Sequence, residues 1–236
     1  MHPPSVSSPG ERPVLVAEAD ESREPVLSTV DRVCELCFGL FMALTFVGAV
    51  SAATAGTQAE AGRLMFYTAL GCNLAWGLAD AVMYLVRTLT ERARRLRLAL
   101  ATRNDRDPAQ AVRRLRGELT GVMRSLVGDA ELEALRSRLA ALPELPAKPG
   151  LGSRDYLAAA SVFAIVVLST FPVALPFVLM DDTRAALLVS RILTLVMLFA
   201  SGLALGRHAG GGGWRAGLGM TFVGIALTAA IIALGG

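Results

Sequence analysis

The feature that most constrains this chain is an uninterrupted segment from Leu64 to about Arg103. Its first 23 residues, LMFYTALGCNLAWGLADAVMYLV, form an apolar run long enough to cross a bilayer as a helix. The remainder, RTLTERARRLRLALATR, contains no Pro or Gly and consists mostly of strong helix formers. We therefore predict one helix of about 40 residues, roughly 60 Å long. Because this is about twice the hydrocarbon thickness, its second half should leave the membrane as a stalk.

Four other segments are also long and apolar enough to cross a bilayer. The composition agrees with this, since 53% of the 236 residues are apolar and only 18% are charged. In chain order the five predicted spans are 33–55, 64–86, 156–180, 185–206 and 216–235. We therefore predict an all-α, polytopic membrane protein with five transmembrane helices and a long polar insert after the second.

The arginines are distributed unevenly between the two sides of such a protein. The insert over 87–154 holds 15 of the 23 basic residues, and the N-terminal tail and the connector 207–215 bring that side to twenty. The other side holds three, namely Arg63, Arg184 and Arg191. Because cytosolic loops carry the excess of basic residues, the N-terminus and the insert are predicted to be cytosolic and the C-terminus to lie outside.

The chain divides into four regions on this basis. Residues 1–30 are acidic and rich in Pro and Ser, lack a signal peptide, and are predicted to be a disordered cytosolic tail. Residues 31–86 hold spans 1 and 2, and residues 87–150 form the cytosolic helical insert, including the extension of the second helix. Residues 151–236 hold spans 3 to 5.

The insert is predicted to contain two helices of its own. Asp107 followed by Pro108 is a typical helix start, and this helix should continue to about Val127. Asp129 should then cap a second helix. Both helices carry apolar stripes, which we expect to pack with the stalk into a three-helix cytosolic unit. The stripes are Leu115, Leu119 and Met123 in the first helix and Leu132, Leu135 and Leu139 in the second, facing Leu96, Leu98 and Leu100 of the stalk.

Two local features predict how the spans pack. Pro172 and Pro176 should kink span 3 and free backbone carbonyls. Small residues spaced by four predict faces for close helix contact, and such faces also permit a homodimer. The faces are Gly48, Ala52 and Gly56 at span 1, and Gly202 with Gly206 in span 4.

Asp80 lies inside the second span, where an ionisable residue indicates a functional site by default. Asn73, Gly77 and Tyr84 share its face of the helix, and Met83 is three positions further on. A carboxylate, an amide and a thioether on one stripe are suited to binding a divalent transition metal or to relaying protons. We therefore place Asp80, Met83 and Asn73 on a predicted transport path, with Asp80 and Met83 as the metal ligands.

A structural interpretation of Asp80 is equally open. Arg87 lies on the same stripe and can neutralise the carboxylate, which would then only join helices. Arg191, inside span 4, is a less suitable partner because the topology places it nearer the outer end.

Cys34, Glu35 and Cys37 lie at the cytosolic start of span 1. A C-x-x-C pair can bind metal or perform thiol chemistry, but no second pair and no neighbouring His accompanies this one. We therefore interpret the cysteines as apolar filler. Glu35 can face Asp80 or Arg87 at the cytosolic entrance, and we include it in the predicted transport path.

Other function classes lack support in the sequence. No nucleophile elbow, phosphate loop or zincin motif occurs, so neither an enzyme nor a resident cofactor is predicted. The arginines of the stalk and insert are predicted to bind anionic lipid headgroups or a protein partner: Arg94, Arg95, Arg113 and Arg114. No aromatic or motif-like pattern accompanies them, so nucleic acid is not an expected partner.

With these features assembled, the chain resembles the vacuolar iron transporter family. The resemblance covers about two-thirds of the chain and rests on its five spans, the extended second helix and three segments. These are FAIVVLSTFPVALPFVL, WRAGLGMTFVGIALTAAIIALGG, and ADAVMYL in span 2. It implies a homodimer that exports ferrous iron or manganese from the cytosol into a storage compartment in exchange for protons. It also implies that Asp80 and Met83 lie on the transport path and that Asp80 or Glu35 carries the proton.

The chain departs from the family's pattern in three places. Phe38-Gly39 stands where the family has Asp-Gly, Arg87 stands where it has a Glu, and the insert is rich in Arg where a metal collector needs carboxylates. Our first hypothesis is therefore a transporter of iron or manganese, and our second is a non-transporting membrane scaffold whose Arg-rich insert binds lipid or protein. A third is a transporter of another solute, such as an anion.

Overall fold

The computed structural model describes residues 27–53, 58–142 and 145–233, with side-chain surroundings at all of these except 46, 48–53 and 58–61. Regular structure within these ranges is entirely helical, as predicted. In chain order the helices are α1 (Thr29–Ala53), α2 (Gln58–Asn104), α3 (Pro108–Glu118), α4 (Gly121–Leu126), α5 (Asp129–Ala141), α6 (Ser153–Ala174), α7 (Pro176–Leu179), α8 (Thr183–His208) and α9 (Gly213–Ala233).

The predicted long helix is present as α2. It runs unbroken for 47 residues, about 70 Å at 1.5 Å per residue, because no Pro and few weak helix formers interrupt it. Its buried residues recur every four positions and leave the rest of the helix surface largely open: Met65, Ala69, Asn73, Gly77 and Ala81. This period places the buried residues in one stripe along the helix.

Four helical stretches in the described chain are long and apolar enough to cross a membrane. They are Gly62–Asn104, Ser153–Leu179, Thr183–His208 and Gly213–Ala233, which contain the predicted spans 2 to 5. The first predicted span coincides with α1, whose side chains are described only as far as position 47. Of the predicted disordered tail, 1–26 lies outside the described residues. Leu27, at its end, is buried rather than free.

Span 3 breaks just before Pro176, as predicted, whereas Pro172 lies inside α6 without ending it. Leu175 separates α6 from α7, and Pro176 opens α7. Pro172 and Pro176 lack N–H groups, so two carbonyls one turn earlier lose their usual donors. The chain continues through the break because the Leu175 N–H still donates to the Phe171 carbonyl at 2.9 Å.

The described residues group into two compact units, one from Met1–Ala75 and Ala164–Gly236 and the other from Trp76–Phe163. In the first unit α8 contacts α9, α1 and α7. A methyl group at Gly202 would lie 2.6 Å from the Ala216 carbonyl oxygen, and one at Gly206 would lie 2.9 Å from the Gly213 Cα. The predicted packing face of span 4 is therefore confirmed, but α9 of the same chain occupies it. The other predicted face, at Gly48, Ala52 and Gly56, lies outside the described side chains.

In the second unit α3 and α5 pack around a small core. Val112, Leu115 and Leu132 are buried there, with Leu119 and Val127 partly buried against them. The predicted start of α3 is confirmed, because the Asp107 carboxylate accepts the Ala109 N–H at 2.9 Å with Pro108 as the first helical residue. The predicted cap of the second helix is wrong by one residue, since Gly128 occupies that position and Asp129 is already helical.

The prediction of one helix from Pro108 to about Val127 is wrong. The chain leaves helical geometry at Leu119 and Thr120, and Gly121 has a φ of 53°, a left-handed value that favours glycine. The separate helix α4 follows. Met123, which follows this break, is 54% exposed and does not continue the first stripe. Leu135 of the second stripe is also exposed, at 51%.

Candidate functional site

Asn73 is the most enclosed of the predicted site residues. Its side chain is 0% exposed, and its amide nitrogen donates to the Gly39 carbonyl at 3.1 Å and to the Thr170 hydroxyl. The amide therefore connects α2 with α1 and α6 inside the first unit. Its Oδ1 atom is enclosed without a hydrogen-bond partner among the described residues, which is costly for a polar atom in an apolar setting.

The helices around Asn73 approach closely because α1 has a glycine there. A methyl group at Gly39 would overlap the Ser169 hydroxyl and lie 2.7 Å from the Val166 carbonyl oxygen. That carbonyl already accepts the Ser169 hydroxyl at 2.7 Å and the Thr170 hydroxyl at 3.3 Å. The hydroxyls of α6 are thus held in place beside the amide, and we interpret Asn73 as a joint between three helices.

Asp80 is half-buried on α2 and has no fixed counter-charge among the residues that the structure describes. It takes part in none of the hydrogen bonds or ion pairs formed by the described residues. Unlike Asn73 Oδ1, its oxygens are not sealed off by protein atoms. The local alternative, Arg87, instead lies over the Tyr84 ring, with its guanidinium carbon 6.0 Å from the ring centroid. The interpretation that Arg87 neutralises Asp80 therefore has no contact to support it.

Met83, the second predicted metal ligand, is 59% exposed and points away from the buried stripe of α2. Asp80 and Met83 are one helical turn apart on the same helix, so a carboxylate and a thioether lie along one side. The described residues contain no group of three or more His, Cys, Asp or Glu side chains placed to hold a metal ion. Because divalent metals in proteins take at least four ligands, this pair alone is an incomplete site.

The residues at the start of α1 do not form a metal site with one another. Glu35 is half-buried and is not a free carboxylate, because it already has an interaction partner. Cys34 is exposed, whereas Cys37 is buried in an apolar cluster with Leu40 and Val173. The two thiols therefore face different surroundings, and the burial of Cys37 alone fits the interpretation as apolar filler.

Arg191 lines a narrow recess in the first unit. Hydroxyl residues Ser190, Thr194 and Thr228 share its walls, and the recess has room for about one water molecule. The Thr194 and Thr228 hydroxyls donate to carbonyls of their own helices at 2.8 Å each. The recess is therefore too small for the organic or phosphate anions that a basic pocket in a transporter would accept.

Each arginine predicted to bind lipid has an acidic neighbour. The nitrogen–oxygen distances are 2.5 Å for Arg94–Glu118, 3.0 Å for Arg95–Glu91, 3.6 Å for Arg113–Asp107 and 3.5 Å for Arg114–Asp105. These arginines are 44–77% exposed, and all their partner carboxylates except Asp105 are at least 41% exposed. Exposed pairs are weak, so Arg94, Arg95 and Arg113 can exchange a carboxylate for a phosphate. The same pairs occupy the carboxylates that a metal-collecting insert would need.

Sequence reasoning missed an ion pair between the stalk and the start of α6. Arg92 donates to both oxygens of Asp155 at 2.7 Å and to the Gly150 carbonyl at 2.7 Å. Asp155 also accepts the Gly152 N–H at 2.6 Å. An acid three positions after the residue that caps a helix forms half of a capping box. The bond from the Gly152 N–H to Asp155 was therefore predictable from the local sequence GSRD, residues 152–155. The pairing of Asp155 with Arg92, 63 residues earlier, was not predictable in this way.

No protein-family model matches this chain, and no curated protein matches it. Its relation to the vacuolar iron transporter family is therefore a resemblance read from the sequence. The site consequently has to be argued from its own residues.

Proposed function

We propose that this chain is a five-span membrane transporter for a divalent metal ion, iron or manganese, of the vacuolar iron transporter type. In this proposal the N-terminus and the insert are cytosolic, the C-terminus is outside, and transport is coupled to protons. One observation carries it. Asp80 is a membrane carboxylate without a counter-charge among the described residues.

An uncompensated carboxylate in a span needs a reason to be there. Placing an Asp near the centre of a membrane helix costs about 2.5–3.5 kcal/mol on the insertion scale. The cost falls when the carboxylate binds either a proton or a cation, and the two compete for the same oxygens. Exchange of one for the other at Asp80 is the elementary step of proton-coupled metal transport, and the open side of the carboxylate supports it.

The pair of ligands in one chain also favours a homodimer. Asp80 and Met83 supply two donors, and a second copy facing the open side of α2 would supply two more. Met83 is 59% exposed and Val82 and Val86 beside it are 51% and 50% exposed, so this side can meet another copy. A carboxylate–thioether set with four donors suits a divalent transition metal better than Mg²⁺ or Ca²⁺.

The experiment is metal flux into proteoliposomes with the full-length protein. We expect Mn²⁺ or Fe²⁺ flux that Asp80→Asn and Asp80→Ala abolish and Met83→Leu weakens. Asp181→Asn is the matched control, because Asp181 is an exposed carboxylate outside the spans, and this variant should transport normally. Titration calorimetry of Fe²⁺, Mn²⁺ and Zn²⁺ against the wild type and Asp80→Asn measures binding separately. Flux that Asp80→Ala leaves intact would refute the proposed site.

A second candidate function is a membrane scaffold that does not transport. The observation in its favour is that six described acids of the insert pair with arginines: Glu91, Asp105, Asp107, Glu118, Asp129 and Glu133. This hypothesis predicts no metal flux. It also predicts binding of anionic vesicles or a protein partner that weakens with salt and with Arg113→Gln and Arg114→Gln.

A further inference from the structure

The short helix α4 is an apolar element without a cover. Val122, Met123 and Leu126 are 71%, 54% and 70% exposed, and none of the six residues of α4 is buried. Single exposed apolar residues are ordinary, but these three share one side of one helix. Because isolated helices this short are unstable in water, α4 needs contacts that hold its shape.

The ends of α4 fix the direction of this apolar side. Leu119 and Val127, just before and after the helix, pack against the core of α3 and α5. Arg124 lies on the opposite side of the turn and donates to the Gly117 carbonyl at 3.4 Å. The helix is therefore attached to the second unit through Arg124 on one side and through Leu119 and Val127 at its ends. Val122, Met123 and Leu126 face outward.

Ion pairs also fix the level of α4 along the stalk. A short turn after the end of α2 leads into α3. The end of α3 then returns to the side of α2, because Glu118 pairs with Arg94 at 2.5 Å. Thus α3 runs back along the stalk toward the span. Arg94 lies seven residues beyond Arg87, about 10 Å, and the headgroup region extends about 5–7 Å beyond the hydrocarbon, so the end of α3 lies about 3–5 Å above the headgroup layer.

The start of α6 marks the same level independently. Asp155, in the first turn of this membrane helix, is held by Arg92, which is two residues before Arg94 on α2. The next helix, α5, leads away again, since Asp129 at its start pairs with Arg116 near the end of α3 at 2.7 Å. The helix α4 therefore lies at the end of the α3–α5 hairpin that is nearer the span.

The charges around α4 suit an anionic lipid surface. Between Leu119 and Gly128 the only charged residue is Arg124, and Arg94 and Arg116 flank the segment. The acids on either side of the segment, Glu118 and Asp129, are already paired with Arg94 and Arg116, so Arg124 is the charge of this segment without a carboxylate partner among the ion pairs of the described residues. Basic residues beside an apolar helix face are typical of helices that lie in the headgroup layer.

We propose that the α4 face, defined as Val122, Met123 and Leu126, inserts into the cytosolic leaflet of the bilayer that the chain itself spans. This inference rests on the proposed topology, in which the insert is cytosolic, but not on metal transport. The bilayer is the occupant we choose because α4 lies at the end of the α3–α5 hairpin nearer the span, where the headgroup layer of the proposed topology is within a few ångströms. The insertion anchors the membrane-facing end of the insert and holds the stalk at a defined height.

The test places a fluorescent probe on α4 of the full-length protein. Cys34, Cys37 and Cys72 are replaced, and Ser125→Cys carries an environment-sensitive dye in nanodiscs of phosphatidylcholine with some phosphatidylglycerol. Ser137→Cys, at an exposed position of α5, is the matched control. We expect a blue-shifted emission at position 125 that lipids with a nitroxide near the headgroup quench. Both effects should be lost when Val122, Met123 and Leu126 are all replaced by Ser.

The outcomes separate the alternatives. A water-like emission at 125, equal to that at 137, would overturn the inference. A blue shift that lipids do not quench, and that occurs only with two copies per disc, would overturn it in favour of a second copy as the cover. An impermeant thiol reagent tests the topology separately. Labelling of Ser137→Cys from the outer side would contradict the cytosolic insert, whereas protection there with no quenching at 125 would overturn this inference alone.

Discussion

Arg92 holds Asp155 through two hydrogen bonds of 2.7 Å, one to each carboxylate oxygen. The Asp155 side chain is 9% exposed and that of Arg92 is 45% exposed, so the pair lies at the edge of the protein interior. The same guanidinium donates to the Gly150 carbonyl, and the same carboxylate accepts the Gly152 N–H. The stalk, the returning linker and the first turn of α6 are thereby joined at one point.

Removing this pair should destabilise the second unit measurably. Arg92→Met leaves a nearly buried carboxylate without its strongest donor, and we expect a loss of about 1.5–3 kcal/mol in unfolding free energy. Asp155→Asn should cost less, because the amide oxygen can still accept the Gly152 N–H. Thermal unfolding of the detergent-solubilised protein, followed by circular dichroism, measures both.

The matched control for Arg92 lies one turn away on the same helix. Arg95 pairs with Glu91 at 3.0 Å, but its side chain is 77% exposed. Arg95→Met should therefore cost less than about 1 kcal/mol. Equal losses of unfolding free energy for Arg92→Met and Arg95→Met would show that the Arg92–Asp155 pair is no stronger than a surface pair.

Asn73→Ala should loosen the first unit. The substitution removes two interhelical hydrogen bonds and leaves a small cavity, and we expect a loss of about 1–3 kcal/mol. Thr170→Val removes one acceptor and should cost roughly 0.6 kcal/mol, the average for such bonds in membranes. Reversible unfolding in mixed micelles measures the difference. Asn104→Ala, at an exposed position, should have little effect, and a loss there as large as at Asn73 would argue against the joint.

Two glycines should respond oppositely to the same substitution. Gly39→Ala adds a methyl that meets Ser169 and the Val166 carbonyl, so α1 and α6 must separate at a cost of about 1–3 kcal/mol. Gly71→Ala meets nothing within 4 Å and should stabilise α2 by up to about 1 kcal/mol. Melting temperatures of the two variants give the signs, and a stabilised Gly39→Ala would contradict the close helix crossing.

Glu133 should titrate below its usual range. The side chain of Arg136 donates to it at 2.6 Å, and this hydrogen bond lowers the pKa of Glu133 from its ordinary value of 4.5. A lowered pKa means that the pair contributes to stability above the ordinary value and that the contribution is lost as the pH falls through the lowered one. The carboxyl carbon shift of Glu133 in labelled protein measures the midpoint.

The control for this titration is on the same helix. Arg136→Gln should return the midpoint toward 4.5, because the charged donor is lost. Arg138→Gln removes the same charge from an exposed position of α5 and should leave the midpoint nearly unchanged. Equal shifts in both variants would mean that general charge, not the hydrogen bond, sets the pKa.

The extent of prediction from sequence differs between helices and contacts. The unbroken α2, the break at Pro176 and the cap at Asp107 were all readable, because each depends on residues within a turn or two. The break at Gly121 was missed, since glycine in a helix pattern is often tolerated and only the packing of Leu119 and Val127 requires the left-handed turn there.

The polar residues show the same division. Asp80 was recognisable from sequence as an ionisable residue in a span, but whether Arg87 neutralised it depended on side-chain directions. The ion pair between Arg92 and Asp155 was not predicted, because nothing in the local sequence distinguishes Arg92 from the other arginines of the stalk.

By itself the sequence determined that this chain forms long apolar helices and roughly where most of them lie. Hydropathy and backbone hydrogen bonding within a helix act over a few residues, so they are written locally. The tertiary structure decided which groups meet: Asn73 with Gly39 and Thr170, and Arg92 with Asp155. It also left α4 uncovered. Such pairings join residues 34 to 97 positions apart, and they follow from how helices pack, which no short stretch of sequence contains.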